Sequence, residues 1–206
     1  MNIEIIDKRM KWGALDVNLF GVEKEWGGAK LASPLAFSLA VDKEYLWFIA
    51  AHQKAAMIHP QARPGAFLPE LWKYDVAEFF LLDTKTDKYL EFNLAPNGAW
   101  WSAVFTSPRV RESEEEVQIP DVASYADLSP DGSWLTAAAV PLYYLRDEFG
   151  FGEESMMNVS FIINSPEQKF VSAADLGTGE PNFHQPDKFK KVNFFQLTEY
   201  GGVNDG

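Results

Sequence analysis

Two short runs, Val76 to Leu82 (VAEFFLL) and Lys88 to Leu94 (KYLEFNL), separated by the polar stretch Asp83-Thr84-Lys85-Thr86-Asp87, constrain the fold more than any other part of the chain. Side chains alternate between the two faces of an extended backbone. In the second run Leu90, Phe92 and Leu94 point one way, and Tyr89, Glu91 and Asn93 the other. In the first, Val76, Glu78, Phe80 and Leu82 oppose Asp75, Ala77, Phe79 and Leu81. Both faces of the first run are largely apolar, so it must be a central strand covered on both sides. The pair reads as a β-hairpin.

The same grammar recurs along the chain. Strands are predicted over Pro34 to Val41, Tyr45 to Ala51, Trp100 to Phe105, Trp134 to Val140, Met157 to Ile163 and Lys191 to Leu197, with one short helix over Leu142 to Glu148. Turns fall at Pro96-Asn97-Gly98 and Pro130-Asp131-Gly132, and Pro141 ends its strand because it cannot donate to a central ladder. Many short strands between turn residues spell an all-β, two-sheet antiparallel sandwich of jelly-roll type with little helix. The 7 Trp and 16 Phe suit the gap of roughly 10 Å between two sheets. No linker or internal repeat interrupts the sequence, so residues 1–206 are read as a single domain.

Charge narrows the function. A net charge of −12 argues against nucleic acid and anionic membrane surfaces, because phosphate contacts need clustered Lys and Arg. No apolar stretch reaches the roughly 18 residues of a membrane span, and MNIEIIDKRMKWG lacks the apolar centre of a signal peptide, so a cytoplasmic location is expected. On that ground the sequon Asn158-Val159-Ser160 is expected to carry no sugar. With 0 Cys there is no disulfide, thiol nucleophile or cysteine-ligated zinc. Nucleophile elbow, zinc helix, P-loop and dinucleotide loop are all missing, so no catalytic residue, cofactor or metal is assigned. Among the 3 histidines, His52 and His59 read as surface loop residues. The loop from Asp83 to Asp87 is a plain hairpin connection rather than a calcium loop, and the acidic run Glu112 to Glu116 is a solvated loop.

Three stretches taken in order resemble a known family: LWKYDVAEFFLLD (71–83), YLEFNLAPNGAWW (89–101) and EPNFHQPDKF (180–189). Their spacing looks like that of the DOMON-like proteins related to family 9 carbohydrate-binding modules, and WLTAAAVPL (134–142) fits a strand and turn at a comparable place. The resemblance runs from about Leu31 onward. It implies a β-sandwich that holds a sugar, often a chain end, in a slot at one edge, between aromatic rings and polar side chains. Trp72 matches a clamp tryptophan and Glu78 a polar contact; the second clamp tryptophan has no clear counterpart, and Phe183 and His184 stand in its place. Some DOMON relatives bind haem, but Met57 and His59 are too close along the chain to ligate opposite sides of an iron.

The slot expected on these grounds is lined by Trp72, Asp75, Glu78, Glu91, Asn93, Trp100, Asn182 and His184. Glu78 lies in an otherwise apolar row, where a carboxylate must be paired, hydrogen-bonded or neutralised; a structural partner such as Arg109 and a place in the slot are equally open. Trp100 and Trp101 must face opposite ways, and Trp100 is expected to be the outward one; both could instead be buried against different layers. Between its prolines, Phe183-His184 is either a latch, with His184 capping a backbone carbonyl, or a slot wall. The function expected is non-catalytic binding of a sugar or oligosaccharide. The alternatives are a sugar-processing enzyme using Glu78 and Glu91, marked by two carboxylates with raised pKa in one cleft, and a structural domain with a filled slot.

Overall fold

A computed structural model describes residues 1–196. Its strands, in chain order, are β1 (Asn2–Ile5), β2 (Phe20–Lys24), β3 (Lys30–Val41), β4 (Tyr45–His52), β5 (Val76–Leu82), β6 (Tyr89–Leu94) and β7 (Trp100–Ser107). They continue with β8 (Val110–Arg111), β9 (Ala123–Leu128), β10 (Trp134–Pro141), β11 (Met156–Ile163), β12 (Lys169–Ser172), β13 (Lys190–Lys191) and β14 (Asn193–Phe195). The strands β4, β5, β6, β7, β10 and β11 lie within two residues of where the alternation puts them, while β3 starts at Lys30, four residues before the expected Pro34. The strand expected to run to Leu197 splits into β13 and β14, and Leu197 lies outside the described residues.

The strands form two sheets. The first has the order β14-β1-β3-β4-β10-β9, with β2 also on β3; the second is β12-β11-β5-β6-β7-β8, with β13 also on β11. Pairing is antiparallel except at β1, which runs parallel to both β14 and β3. The α-helix α1 (Leu142–Phe149) buries Leu142, Leu145 and Phe149 on one stripe and stops at Gly150, whose φ of 57° and N–H bond to the Arg146 carbonyl form a left-handed cap.

Between the sheets, rings stack across neighbouring strands. Phe48 meets Phe79 edge-on at 5.4 Å, Phe79 stacks on Phe92 at 5.1 Å, and Phe92 stacks on Trp100 at 5.5 Å. Trp100 is therefore core, which corrects its expected outward orientation. Leu94 pairs with Trp100 in the β6–β7 register, so Trp100 shares the inward face of Leu90, Phe92 and Leu94.

Both sheets are covered outside as well. Against the first, Met10 packs with Trp47, Ile49, Ala137 and Ala139, and Asp42 holds the N-terminal segment by accepting the Met10 N–H at 3.0 Å and the Trp47 indole N–H at 3.1 Å. His52 is not a loop residue: it ends β4, buried and edge-on to Trp134 at 6.1 Å, with burial holding its pKa below the usual imidazole value. Over the second sheet lie Val76, Phe80, Leu82, Tyr89, Trp101 and Phe105, roofed by Leu71, Phe183 and Phe189.

Trp134 opens β10 fully within the inter-sheet core. Trp134→Ala should cost about 3 to 5 kcal/mol. For a domain of this size that lowers the melting temperature by roughly 6 to 20 °C, readable by circular dichroism. A loss of under about 1 kcal/mol would show that this ring is not holding the sheets together.

Candidate functional site

The β5 side chains that turn away from the inter-sheet core build the floor of a cavity of about 970 Å³. Directly opposed residues cross five strands there as a polar row: Ser172, Ser160, Glu78, Asn93 and Trp101. The next row is Asn158, Phe80, Glu91 and Ala103. Glu78 and Glu91 thus lie diagonally across β5 and β6 on the same face, both buried. Asn158 is wholly buried and accepts the Ala174 N–H at 3.0 Å and the Ser172 hydroxyl at 3.2 Å.

Three segments wall the cavity. The 3₁₀ turn Leu71–Lys73 buries Leu71 as an anchor and leaves Trp72, the next residue, 48% exposed. The Ser107–Val110 turn presents Arg109 from a left-handed backbone position (φ 62°), with its N–H donated to the Tyr89 hydroxyl at 3.2 Å. The Pro181–His184 segment supplies the third wall; the Asn182 side chain accepts the His184 N–H at 3.1 Å and so shapes the turn.

Five of the expected residues therefore meet in one place: Trp72, Glu78, Glu91, Asn182 and His184 all line the cavity. Asn93 lies on the same face beside them and donates to Glu91 Oε1 at 3.0 Å. Two do not belong. Asp75 is buried away from the cavity and accepts the Asn164 N–H at 2.5 Å and the Met57 N–H at 3.1 Å, pinning two loops. Trp100 is core, and the tryptophan on the cavity side is Trp101. Its ring is already covered: Arg111 stacks over it at 4.9 Å, and its indole N–H donates to Glu116 at 2.5 Å. The acidic run is accordingly more than a solvated loop, since Glu112 and Glu114 line the cavity and Glu116 locks Trp101.

His184 is latch and wall at once. Phe183 is buried beside Trp26 and Phe170, while the His184 ring sits edge-on to Phe105 at 4.8 Å and Phe80 at 5.6 Å. Its partner is a side chain rather than a backbone carbonyl: Nδ1 lies 2.8 Å from the Tyr89 hydroxyl. That hydroxyl also accepts the Arg109 N–H at 3.2 Å and reaches the Ser107 carbonyl at 3.4 Å, while His184 Nε2 faces Glu91 Oε2 at 3.7 Å.

Burial, then the neighbouring Arg109, pushes His184 down to about 4, so it is neutral at neutral pH. Glu91 is pushed up to about 7, first by burial. Glu78 is pushed well above the usual carboxylate range, first by burial and then by Glu91 beside it, against the hydrogen bond donated by Ser160 at 2.9 Å. The expected structural partner of Glu78, Arg109, makes no ion pair with it among the described residues.

These shifts oppose each other in stability. The folded chain binds more protons than the unfolded chain at Glu91 between about pH 4.5 and 7, so that contribution falls as pH rises. At His184 the folded chain binds fewer between about 4 and 6.5, so that contribution grows with pH. Glu91→Gln should remove only the first slope. Relative to the parent, its melting temperature should climb from about pH 5 to about pH 8. A constant difference over that range would show that Glu91 is not held protonated.

The fold is the β-sandwich of the family 9 carbohydrate-binding modules. A candidate carbohydrate-binding protein from Bacteroides uniformis matches with a TM-score of 0.74 at 14% identity, over 95% of this chain and 98% of that one. A family 9 module from Caldicellulosiruptor kristjanssonii, solved with glucose, matches with a TM-score of 0.57 at 13% identity, over 97% and 98% of the two chains. A family 9 module from Caldicellulosiruptor kristjanssonii solved with cellotriose gives 0.57 at 14% identity over the full length of both. No family model matches the sequence. Among curated proteins the chain is similar to the UPF0462 protein C4orf33 homolog of Rattus norvegicus, 29% identical over 146 residues, covering 67% of this chain and 68% of the relative. The Homo sapiens UPF0462 protein C4orf33 is 29% identical over 140 residues, with 67% and 68% covered.

Proposed function

We propose that this protein binds a sugar without transforming it, holding the ring in the cavity over the outer face of the second sheet. One observation carries the reading: an exposed indole, Trp72, faces a buried carboxylate pair, Glu78 and Glu91, across one open cavity. A pyranose presents an apolar C–H face that stacks on an aromatic ring, while its hydroxyls need acceptors and donors at the rim and floor. Trp72 supplies the first; Glu78, Glu91, Asn182 and the His184 ring supply the second. The shared fold with sugar-bound modules supports the reading, and a cavity of about 970 Å³ is the opposite of the filled slot that a purely structural domain would have.

Titrating intrinsic tryptophan fluorescence or heat with a panel of mono- and disaccharides tests it. Trp72→Ala should abolish the sugar-dependent signal while shifting stability by about 1 kcal/mol or less, a few degrees in melting temperature. If no sugar produces a response, the reading falls. If Trp72→Ala unfolds the protein, Trp72 is part of the scaffold.

A second reading, an enzyme acting on a sugar, is favoured by the carboxylate pair itself, because Glu91 is raised to about 7 and Glu78 well above its usual range in the same cleft. Turnover of aryl glycosides that disappears in Glu78→Gln or Glu91→Gln would establish the enzyme and overturn the binding protein.

A further inference from the structure

The floor of the cavity is short of cations and of hydrogen-bond donors in the same spot. Glu78 and Glu91 are 2% and 6% exposed, and among the described residues no Lys or Arg nitrogen lies within 4 Å of either. The near contact to Glu91 is His184, which is neutral at neutral pH. Arg111 is engaged by Trp101 and Glu116. Glu78 accepts from the Ser160 hydroxyl and Glu91 from the Asn93 amide, and both carboxylates keep lone pairs free. Ionising either carboxyl there without a cation is costly, and both accordingly keep their protons to higher pH than usual.

We propose that the cavity is built for an amino sugar, a hexose whose ring carries a primary ammonium group, and that the ammonium sits against Glu78 and Glu91. This rests on the sugar-binding reading of the same cavity. An ammonium has three N–H donors and no acceptor, which matches a floor where the Glu78 and Glu91 carboxyls offer the acceptors. A neutral hydroxyl offers a single donor and leaves the pair without a counter-ion. The walls agree: Trp72 and Phe80 bring aromatic faces to the same cavity, and a cation is attracted to such faces. The net charge of −12 draws cations toward the molecule as a whole.

The other charged groups facing this floor are Arg109, Arg111, Glu112 and Glu114 along the β7–β8 wall, with Lys73 over the Trp72 ring at 5.5 Å. In the empty cavity the carboxylates hold protons, which an arriving ammonium displaces to solvent. Binding should therefore release protons and strengthen as pH rises through about 7 at Glu91. It should weaken again where the amine itself deprotonates, near 8 for an amino group of ordinary acidity.

Isothermal titration of the full chain with glucosamine, glucose, N-acetylglucosamine and glucuronate tests this. Glucosamine should bind at least about tenfold more tightly than glucose, a gain of about 1.4 kcal/mol. N-Acetylation removes the charge and should remove the gain. Glucosamine affinity should follow a bell-shaped pH profile, and its heat should vary with the ionisation enthalpy of the buffer. Glu78→Gln and Glu91→Gln, checked for native near-ultraviolet dichroism, should collapse the glucosamine-to-glucose ratio toward one; should either fail to fold, the parent's pH profile still decides. Glucose or N-acetylglucosamine binding as tightly as glucosamine, or glucuronate binding most tightly, would overturn the amino-sugar assignment and leave sugar binding standing. Silence from all four would overturn both.

Discussion

Everything in this molecule follows from a seven-residue strand with no exposed face. All of β5, from Val76 to Leu82, is buried. Ala77, Phe79 and Leu81 need a second sheet to cover them, and the Phe48–Phe79–Phe92–Trp100 stack is the result. Val76, Phe80 and Leu82 need another layer on the far side, and the 71–73 turn, the 181–184 segment and Phe189 provide it. Stabilisation of this kind is non-directional and scales with apolar area. It brings the chain's loops over the second sheet without dictating what they carry, and chemistry can therefore sit beneath them.

Glu78 is where that freedom is used. Its row must be shielded from water because its neighbours Val76 and Phe80 are apolar, yet a charged carboxylate is poorly tolerated there. Burial raises Glu78 and Glu91 together and lowers His184, so the imidazole is neutral at neutral pH and both carboxyls keep their protons to higher pH than usual. The Arg109–Tyr89–His184 chain of hydrogen bonds holds the imidazole with Nε2 toward Glu91. Low local dielectric makes such a network sensitive to any arriving charge.

The layering was legible because alternation reports burial directly, and both faces of β5 and β6 sort as their residues imply. Edge elements were not. The strand β2 is short and only half-buried at Phe20 and Val22, and β9 carries half-exposed and exposed residues in no clean alternation. Trp72 and Glu78 were readable through the family resemblance, Glu78 also because it breaks an apolar row, Glu91 because it shares the polar face of β6 with Asn93, and Asn182 and His184 because they stand between two prolines. Trp100 was not, because its face depends on the parity of the Ala95–Ala99 connection, which fixes Leu94 opposite Trp100 and Asn93 opposite Trp101. Asp75 was misplaced for a related reason: it lies one position before the strand and turns to the Met57 and Asn164 amides of distant loops. The roles of Arg109, Arg111 and Glu116 depend on how a hairpin folds back over the sheet, and pairing at that range leaves no local mark.

The first strand lies between β3 and the last described strand, with Asn2 opposite Asn193 and Glu4 opposite Ala40. During synthesis β1 therefore emerges before its partner on one side exists, and it must wait for almost the whole chain. Ile3, fully buried, has no complete site until then. Closing so long a loop is entropically expensive, and topologies dominated by such distant pairings fold slowly. The β1–β14 seam is thus the last stitch of the sandwich, and a nascent chain lacking it would display the side of β1 that should be hidden.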